Sequence, residues 1–140
     1  MTEIRRPPVS GLTRSLMTRK ALIIEDDEIM IANLTELLDL EGFDVRSTSR
    51  GSQALGWVRT FQPDIILSDM YLPDSDGLAI LAAVRDIPAA ARTPFIFLTG
   101  QGESDRMRAA MERGADGYLV KPFELMDLLR LIEQLLPAHC

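Results

Sequence analysis

The chain has 140 residues, of which 46% are hydrophobic and 26% charged, and its formal net charge is −6. These values are ordinary for a soluble globular protein, and the length suits one domain with a substantial hydrophobic core. The single cysteine, Cys140, excludes an internal disulfide, and no apolar run is long enough to cross a membrane. Since the N-terminus also lacks the apolar segment of a secretory signal, we expect a cytoplasmic protein.

Charge is distributed unevenly along the chain. Residues 1–20 carry five basic residues against one acidic residue, whereas residues 21–140 carry 10 basic and 20 acidic residues. The acidic body argues against direct binding of nucleic acid by this domain.

The first residues show no helical or strand period. We therefore expect a disordered leader over 1–19, a folded domain over 20–137 and a short tail over 138–140. A docking arm or a lipid-surface arm is the alternative interpretation of the basic leader.

Beyond the leader, apolar runs of strand length alternate with segments of helical length. The predicted strands are 22–25, 43–46, 64–69, 94–98 and 118–120. The first predicted helix begins at the acidic run after strand one and ends before Gly42, and the others are 52–60, 77–85, 104–113 and 123–136. Strictly alternating strands and helices predict a parallel sheet with helices on both faces.

Polar side chains with distinct chemistry lie at the carboxyl ends of four of these strands. Glu25 ends the first strand and Asp26 follows it, Asp69 ends the third, Thr99 follows the fourth and Lys121 follows the fifth. Ligands of parallel α/β sheets bind beyond the carboxyl ends of the strands, so these side chains are expected to share one site. Carboxylates in an apolar setting repel one another, which indicates a bound cation, and a few hard oxygen ligands suit a magnesium ion, Mg²⁺. The nearby hydroxyl and lysine suit a phosphoryl group, and Asp69 is the natural nucleophile because an aspartate can form an acyl phosphate.

Each of these residues also has a purely structural interpretation. Asp26 can cap the first helix, Asp69 can belong to the turn before Pro73, and Lys121 can be a solvated strand end. Their joint position at one edge of one sheet favours the functional interpretation.

Four motifs carry a resemblance to a known family. They are IEDD at 24–27, PDIILSD at 63–69 leading into LPDSDG at 72–77, FLTG at 97–100, and GYLVKPF at 117–123. Through them the chain resembles the receiver domain of bacterial two-component response regulators. The resemblance implies a doubly wound, flavodoxin-like three-layer α/β sandwich with five parallel strands in the order 2-1-3-4-5. It also implies a cis peptide bond between Lys121 and Pro122.

The resemblance also implies roles for the site residues. Asp69 would be the phosphoacceptor, taking a phosphoryl group from a phosphohistidine of a sensor histidine kinase or a histidine phosphotransfer protein. Mg²⁺ would be bound by Asp26, Asp69, Glu25 and the backbone carbonyl of Tyr71.

Other residues would respond to the phosphoryl group or set its lifetime. Thr99 and Lys121 would bind the phosphoryl oxygens, and Tyr118 would be the switch aromatic. Tyr71 and Gln101 occupy positions that tune phosphoryl lifetime in the family, and a bulky Tyr71 predicts slow autodephosphorylation. The output face would lie near helix 4, strand 5 and helix 5, and the protein would be a switch rather than a turnover enzyme.

Several alternatives stay open on the sequence. A complete chain would be a single-domain receiver that controls an unknown downstream protein, passes the phosphoryl group on or forms a homodimer. Otherwise it is a receiver fragment of a larger response regulator or of a hybrid kinase. A flavodoxin-like cofactor-binding module would need a phosphate-cradling loop where this chain has the acidic run 25–28. A dehalogenase-type phosphatase would carry its nucleophile after strand one, and a degenerate receiver would lack part of the site.

Overall fold

A five-stranded parallel sheet forms the centre of the computed structural model, which describes residues 18–136. The strands, in chain order, are β1 Lys20–Ile24, β2 Asp44–Thr48, β3 Ile65–Asp69, β4 Phe95–Thr99 and β5 Gly117–Val120. Their spatial order is 2-1-3-4-5, and every neighbouring pair is parallel. The predicted fold class and strand order are therefore confirmed.

Helices follow the strands in strict alternation. They are α1 Glu28–Leu40, α2 Gly51–Phe61, α3 Gly77–Arg85, α4 Ser104–Glu112 and α5 Leu125–Leu135. The ends of the elements predicted from the sequence differ from these bounds by at most two residues. A short antiparallel ribbon between β3 and α3, formed by Tyr71–Leu72 and Ser75–Asp76, was not predicted from the sequence.

The sheet separates two hydrophobic cores. Side chains alternate between the faces of a strand, so Leu22 and Ile24 of β1 pack under α2 and α3, whereas Ala21 and Ile23 pack under α1 and α5. The apolar side chains of β1, β3 and β4 are completely buried, as expected for central strands that are covered on both faces. A rigid sheet of this kind positions the residues at its strand ends.

Helix α1 begins and ends at residues with clear local causes. The carboxylate of Asp27 accepts the backbone N–H groups of Ile29 and Met30 at 3.0 and 3.2 Å, which caps the first turn. Gly42 follows the helix with φ +90°, a left-handed backbone conformation that glycine adopts without steric cost.

Most of the predicted leader, residues 1–19, and the predicted tail, residues 138–140, lie outside the described residues. Arg19 is described, and its guanidinium donates a hydrogen bond to the carbonyl oxygen of Leu136 at 2.8 Å and lies 4.9 Å from the ring centroid of Phe43. Between residues 18 and 136, no helix combines the length and apolarity needed to cross a bilayer.

Candidate functional site

The carboxyl ends of the central strands meet at one edge of the sheet. Ile24 at the end of β1 is the register partner of Ser68, and Asp69 at the end of β3 is the partner of Leu98. Parallel strands in this register end almost level with one another. The predicted site residues on β1, β3, β4 and β5 are therefore brought to the same edge.

Three carboxylates form the centre of the site. Glu25, Asp26 and Asp69 each offer an oxygen, and these oxygens all lie within 4.8 Å of one another. Glu25 is buried, Asp69 is half-buried and Asp26 is exposed. The Glu25 carboxylate accepts the backbone N–H groups of Asp26 and Asp27 at 3.2 and 3.1 Å, which fixes its orientation at the start of the loop.

Lys121 is the basic partner of this cluster. Its Nζ atom lies 3.1 Å from Oε1 of Glu25 and 3.6 Å from Oδ1 of Asp69. The peptide bond between Lys121 and Pro122 is cis, as the resemblance implied. One ammonium beside three carboxylates leaves a local excess of negative charge, which a divalent cation would neutralise.

The protonation equilibria reflect this excess of negative charge. Burial raises the pKa of Glu25, and the Asp69 carboxylate raises it further, although the N–H of Asp27 and the ammonium of Lys121 act in the opposite direction. Burial also raises the pKa of Asp69, and Lys121 opposes that shift. Burial alone would lower the pKa of Lys121, but attraction to Glu25 and Asp69 outweighs it and raises that pKa. The ammonium is thus stabilised in its charged form. Additional positive charge would stabilise the ionised forms of the two carboxylates.

The donor set fits Mg²⁺. The ion prefers hard oxygen ligands, keeps several waters and uses few carboxylates, in contrast to a calcium ion, which takes six to eight oxygen ligands. The exposed Asp26 leaves one side of the cluster open to water. The carboxylates of Glu25, Asp26 and Asp69 could therefore hold Mg²⁺ together with water.

Thr99 ends β4 at the same edge and is completely buried. Its hydroxyl donates a hydrogen bond to the carboxylate of Glu103. Glu103 was not among the site residues predicted from the sequence. An acidic residue four positions beyond a candidate phosphoryl-binding threonine was the only available signal for it.

The loop after Asp69 is held close to the end of β3 by Gly77. The N–H of Gly77 donates to the carbonyl oxygen of Met70 at 2.7 Å. A Cβ atom on Gly77 would lie 2.7 Å from that oxygen and 2.8 Å from both the carbonyl oxygen of Asp69 and the ring of Phe97. Only glycine fits this position, so α3 starts directly against the backbone of Asp69.

A carboxylate of the same loop caps a neighbouring helix. Asp74 accepts the N–H groups of Gly51 and Ser52 at 2.9 and 3.2 Å, and these bonds lower the pKa of Asp74. Arg50, at the N-cap position of α2, makes no such bond with its side chain, so Asp74 takes over the capping role. The loop that follows Asp69 is thereby tied to α2.

Tyr71 lies two residues beyond Asp69 in the chain, with 48% of its surface exposed. The guanidinium carbon of Arg106, from α4, lies 4.9 Å from the centroid of the Tyr71 ring. Arg106 also forms an ion pair with Asp76, which accepts the N–H of Leu78 and so caps α3. Arg106, which was not predicted as a site residue from the sequence, connects α4 to the loop after Asp69.

The structure also describes the two remaining predicted residues, Tyr118 and Gln101. Tyr118 is in β5, three residues before Lys121, and its side chain is largely exposed. Gln101 is exposed in the loop between β4 and α4.

Residues 21–133 match the family profile described as the response regulator receiver domain. The chain belongs to this family. The resemblance found in the motifs is therefore confirmed, and residues 21–133 form a receiver domain of the kind found in two-component response regulators. Receiver domains are signalling switches. Response regulators of this kind work with sensor histidine kinases.

Individual relatives agree with this assignment. The chain is 32% identical over 120 residues to the phosphate regulon transcriptional regulatory protein PhoB of Rhizobium meliloti, covering 86% of this chain and 53% of that protein. The chain thus spans about half the length of this relative.

Two solved structures are similar along nearly their whole length. The chemotaxis response regulator CheY4 of Vibrio cholerae has a TM-score of 0.79 at 28% identity, covering 85% of this chain and 99% of that one. The receiver domain of the sensor histidine kinase PA1611 of Pseudomonas aeruginosa has a TM-score of 0.75 at 28% identity, covering 84% of this chain and 96% of that one. That structure is described with a magnesium ion coordinated in its active site cleft.

Proposed function

We propose that the protein accepts a phosphoryl group on Asp69 from a phosphohistidine of a sensor histidine kinase or a histidine phosphotransfer protein. The observation that carries the proposal is the cluster of Glu25, Asp26 and Asp69, whose oxygens lie within 4.8 Å of one another beside the ammonium of Lys121. Asp69 is the last residue of β3 and is only half-buried, so a donor can approach it.

The proposal includes Mg²⁺, held by Glu25, Asp26, Asp69 and the backbone carbonyl of Tyr71. The excess negative charge of the cluster and the raised pKa values of Glu25 and Asp69 support this assignment. The magnesium ion described in the receiver of PA1611 supports it independently. A bound ion would supply positive charge that offsets the repulsion between Asp69 and an incoming phosphoryl group.

The chemical step is a transfer between two nucleophiles. A carboxylate oxygen of Asp69 forms a bond to phosphorus while the bond between phosphorus and the donor imidazole nitrogen breaks. The electron pair of that bond stays on the ring nitrogen. This nitrogen then takes up one proton from solvent, and the donor histidine becomes neutral. The ammonium of Lys121 and the hydroxyl of Thr99 then hold the phosphoryl oxygens of the aspartyl phosphate.

The new group of about −2 charge changes the surface around it. Thr99 moves towards the phosphoryl group and Tyr118 turns into the space that it leaves, so the face formed by α4, β5 and α5 is altered. Tyr71 and Gln101 set how long the acyl phosphate survives, with slow autodephosphorylation. We further propose that the protein is located in the cytoplasm. We assign the receiver domain to residues 20–137 and a leader to residues 1–19.

Two arrangements would give the domain its output. In the first, the altered face controls a separate protein or forms a homodimer, or Asp69 passes its phosphoryl group on. Alternatively, the chain is the receiver part of a larger regulator, which its coverage of only 53% of PhoB favours.

One experiment tests the phosphoacceptor role. The protein is incubated with acetyl phosphate and Mg²⁺ and its intact mass is measured. We expect an added phosphoryl group that is absent in Asp69→Asn and without Mg²⁺, but retained in Asp74→Asn, a control carboxylate of the same loop. Absence of the adduct from the unmodified protein would contradict the proposal, and a yellow purified protein would favour the flavin-binding alternative.

A further inference from the structure

Glu103 occupies the N-cap position of α4 but its carboxylate is used elsewhere. At the equivalent positions of α1 and α3, Asp27 and Asp76 accept N–H groups of their own helices. Glu103 makes no such bond to the first turn of α4, which is entirely described, and accepts the hydroxyl of Thr99 instead. The side chain is thus committed to the candidate site rather than to its own helix.

The Thr99 hydroxyl carries a single proton, so it can donate to only one acceptor at a time. Thr99 is completely buried, and donation to an ionised carboxylate is stronger than donation to a neutral oxygen. Glu103 and a phosphoryl oxygen on Asp69 therefore compete for the same donor.

Helix α4 is suited to release by this competition. Within α4, all of which lies in the described part of the chain, Ala110 is the only buried residue, so few apolar contacts hold the helix against the sheet. Among the described residues, its N-terminal half is held by the contact of Glu103 with Thr99 and by the contacts of the Arg106 guanidinium with Asp76 and with the Tyr71 ring. An element with so little buried apolar surface moves at low cost in free energy.

We propose that Glu103 is a positioning residue that holds Thr99 away from Asp69 and thereby disfavours the phosphorylated state. The inference rests on the proposed phosphoacceptor role of Asp69. On phosphorylation, the Thr99 hydroxyl donates its hydrogen bond to a phosphoryl oxygen instead of to the Glu103 carboxylate. The loss of that contact frees the N-terminal turn of α4. The carboxylate of Glu103 thus sets how readily the domain is phosphorylated and couples that event to α4.

The test compares initial rates of phosphorylation by acetyl phosphate, at a fixed Mg²⁺ concentration, using the full chain. Glu103→Ala should raise the rate about tenfold, equivalent to about 1.4 kcal/mol, and Glu103→Gln should raise it less because an amide oxygen still accepts the hydroxyl. Asp105→Ala is the matched control, since it removes the same charge from the first turn of α4 with a side chain that is 94% exposed. Its rate should stay at that of the unmodified protein.

A double substitution separates positioning from a general effect on α4. In a Thr99→Ala background, Glu103→Ala should leave the rate unchanged because the hydroxyl is gone. The methyl resonance of Thr99 in the unphosphorylated protein should also shift in Glu103→Gln, whose shape is preserved. The inference would be overturned if Glu103→Ala and the unmodified protein had equal rates, or if Glu103→Ala raised the rate as much in the Thr99→Ala background as in the unmodified protein. Either outcome would leave the proposed function intact. An unmodified protein that takes up no phosphoryl group would overturn the proposed function and this inference with it.

Discussion

Lys121 lies closer to Glu25 than to Asp69, with Nζ at 3.1 Å from Oε1 of Glu25 and at 3.6 Å from Oδ1 of Asp69. The ammonium is therefore shared by two carboxylates, one of them buried. A phosphoryl group on Asp69 would draw Lys121 towards its own oxygens and weaken the contact with Glu25. Mg²⁺ beside Glu25 would then take the place of the Lys121 ammonium as the positive charge next to the Glu25 carboxylate.

Removal of this lysine should destabilise the domain. Lys121→Gln leaves the carboxylates of Glu25 and Asp69 without their ammonium, and we expect the free energy of unfolding to fall by about 2 kcal/mol, since the pair is partly solvated. Urea unfolding in the presence of a chelator measures this loss, and added Mg²⁺ should restore part of it.

The control for that experiment is an ion pair on the surface. Arg130 pairs with Asp127 at 2.8 Å on α5, and both side chains are largely exposed. Arg130→Gln should change the free energy of unfolding by less than about 0.5 kcal/mol. A loss as large as that of Lys121→Gln would show that charge in general, rather than the buried cluster, governs stability.

Removal of the acceptor charge should have the opposite effect. Burial and the neighbouring carboxylates make ionised Asp69 unfavourable in the folded protein, so Asp69→Asn should stabilise the metal-free domain by about 1 kcal/mol. Thermal unfolding in a chelator should show a rise in Tm of about 4 °C. The gain should shrink when Mg²⁺ is added, because the ion stabilises the unmodified protein more than the variant. A variant less stable than the unmodified protein without metal would contradict this expectation.

The same carboxylate gives the metal-free domain a defined dependence on pH. The pKa of Asp69 in the folded protein is raised above its ordinary value of 3.8. Its contribution to stability is fully present below that value and is lost as pH rises through the raised pKa. The stability of Asp69→Asn relative to the unmodified protein should therefore increase from pH 4 to pH 7, as measured by urea unfolding at each pH. Groups such as Asp74, whose lowered pKa gives stability the opposite dependence on pH, contribute to both proteins and largely cancel in this difference. A difference in stability that is independent of pH would contradict the prediction.

The sequence predicted the strand ends of the site but not the contacts between its loops. Apolar runs and their alternation with helices place Asp69 and Lys121 at one sheet edge, because parallel strands end together. The contact of Arg106 with Asp76 joins residues 30 positions apart, and Asp74 caps α2 from 23 positions away. Such contacts depend on the direction of side chains across a folded surface, which no local period encodes. The ribbon after β3 was missed for a related reason, since its two-residue strands are too short to show alternation.

Gly77 should not tolerate a side chain. In Gly77→Ala the Cβ atom would lie within 2.8 Å of two carbonyl oxygens and of the Phe97 ring, so the backbone at Asp69 must shift. We expect a loss of about 3 kcal/mol in the free energy of unfolding and a sharp fall in phosphoryl uptake. Gly56→Ala is the matched control, because among the described residues no atom other than those of its chain neighbours and of the adjacent α2 backbone lies within 4 Å of its Cβ position. That substitution should stabilise the domain by about 0.5 kcal/mol, and equal effects at both glycines would contradict the steric argument.

Tyr71 should protect the aspartyl phosphate from water. Tyr71 is two residues beyond Asp69 in the chain, and its exposed ring lies 4.9 Å from the guanidinium carbon of Arg106. Tyr71→Ala should speed autodephosphorylation by about fivefold, equivalent to about 1 kcal/mol, while leaving the proposed backbone ligand in place. Tyr71→Phe keeps the ring and should behave like the unmodified protein, and Arg106→Ala should lie between the two because the ring loses its support. The decay of the adduct, followed by intact mass after removal of acetyl phosphate, measures all four lifetimes. An unchanged lifetime in Tyr71→Ala would refute shielding by the ring, whereas a short lifetime in Tyr71→Phe would assign the effect to the hydroxyl.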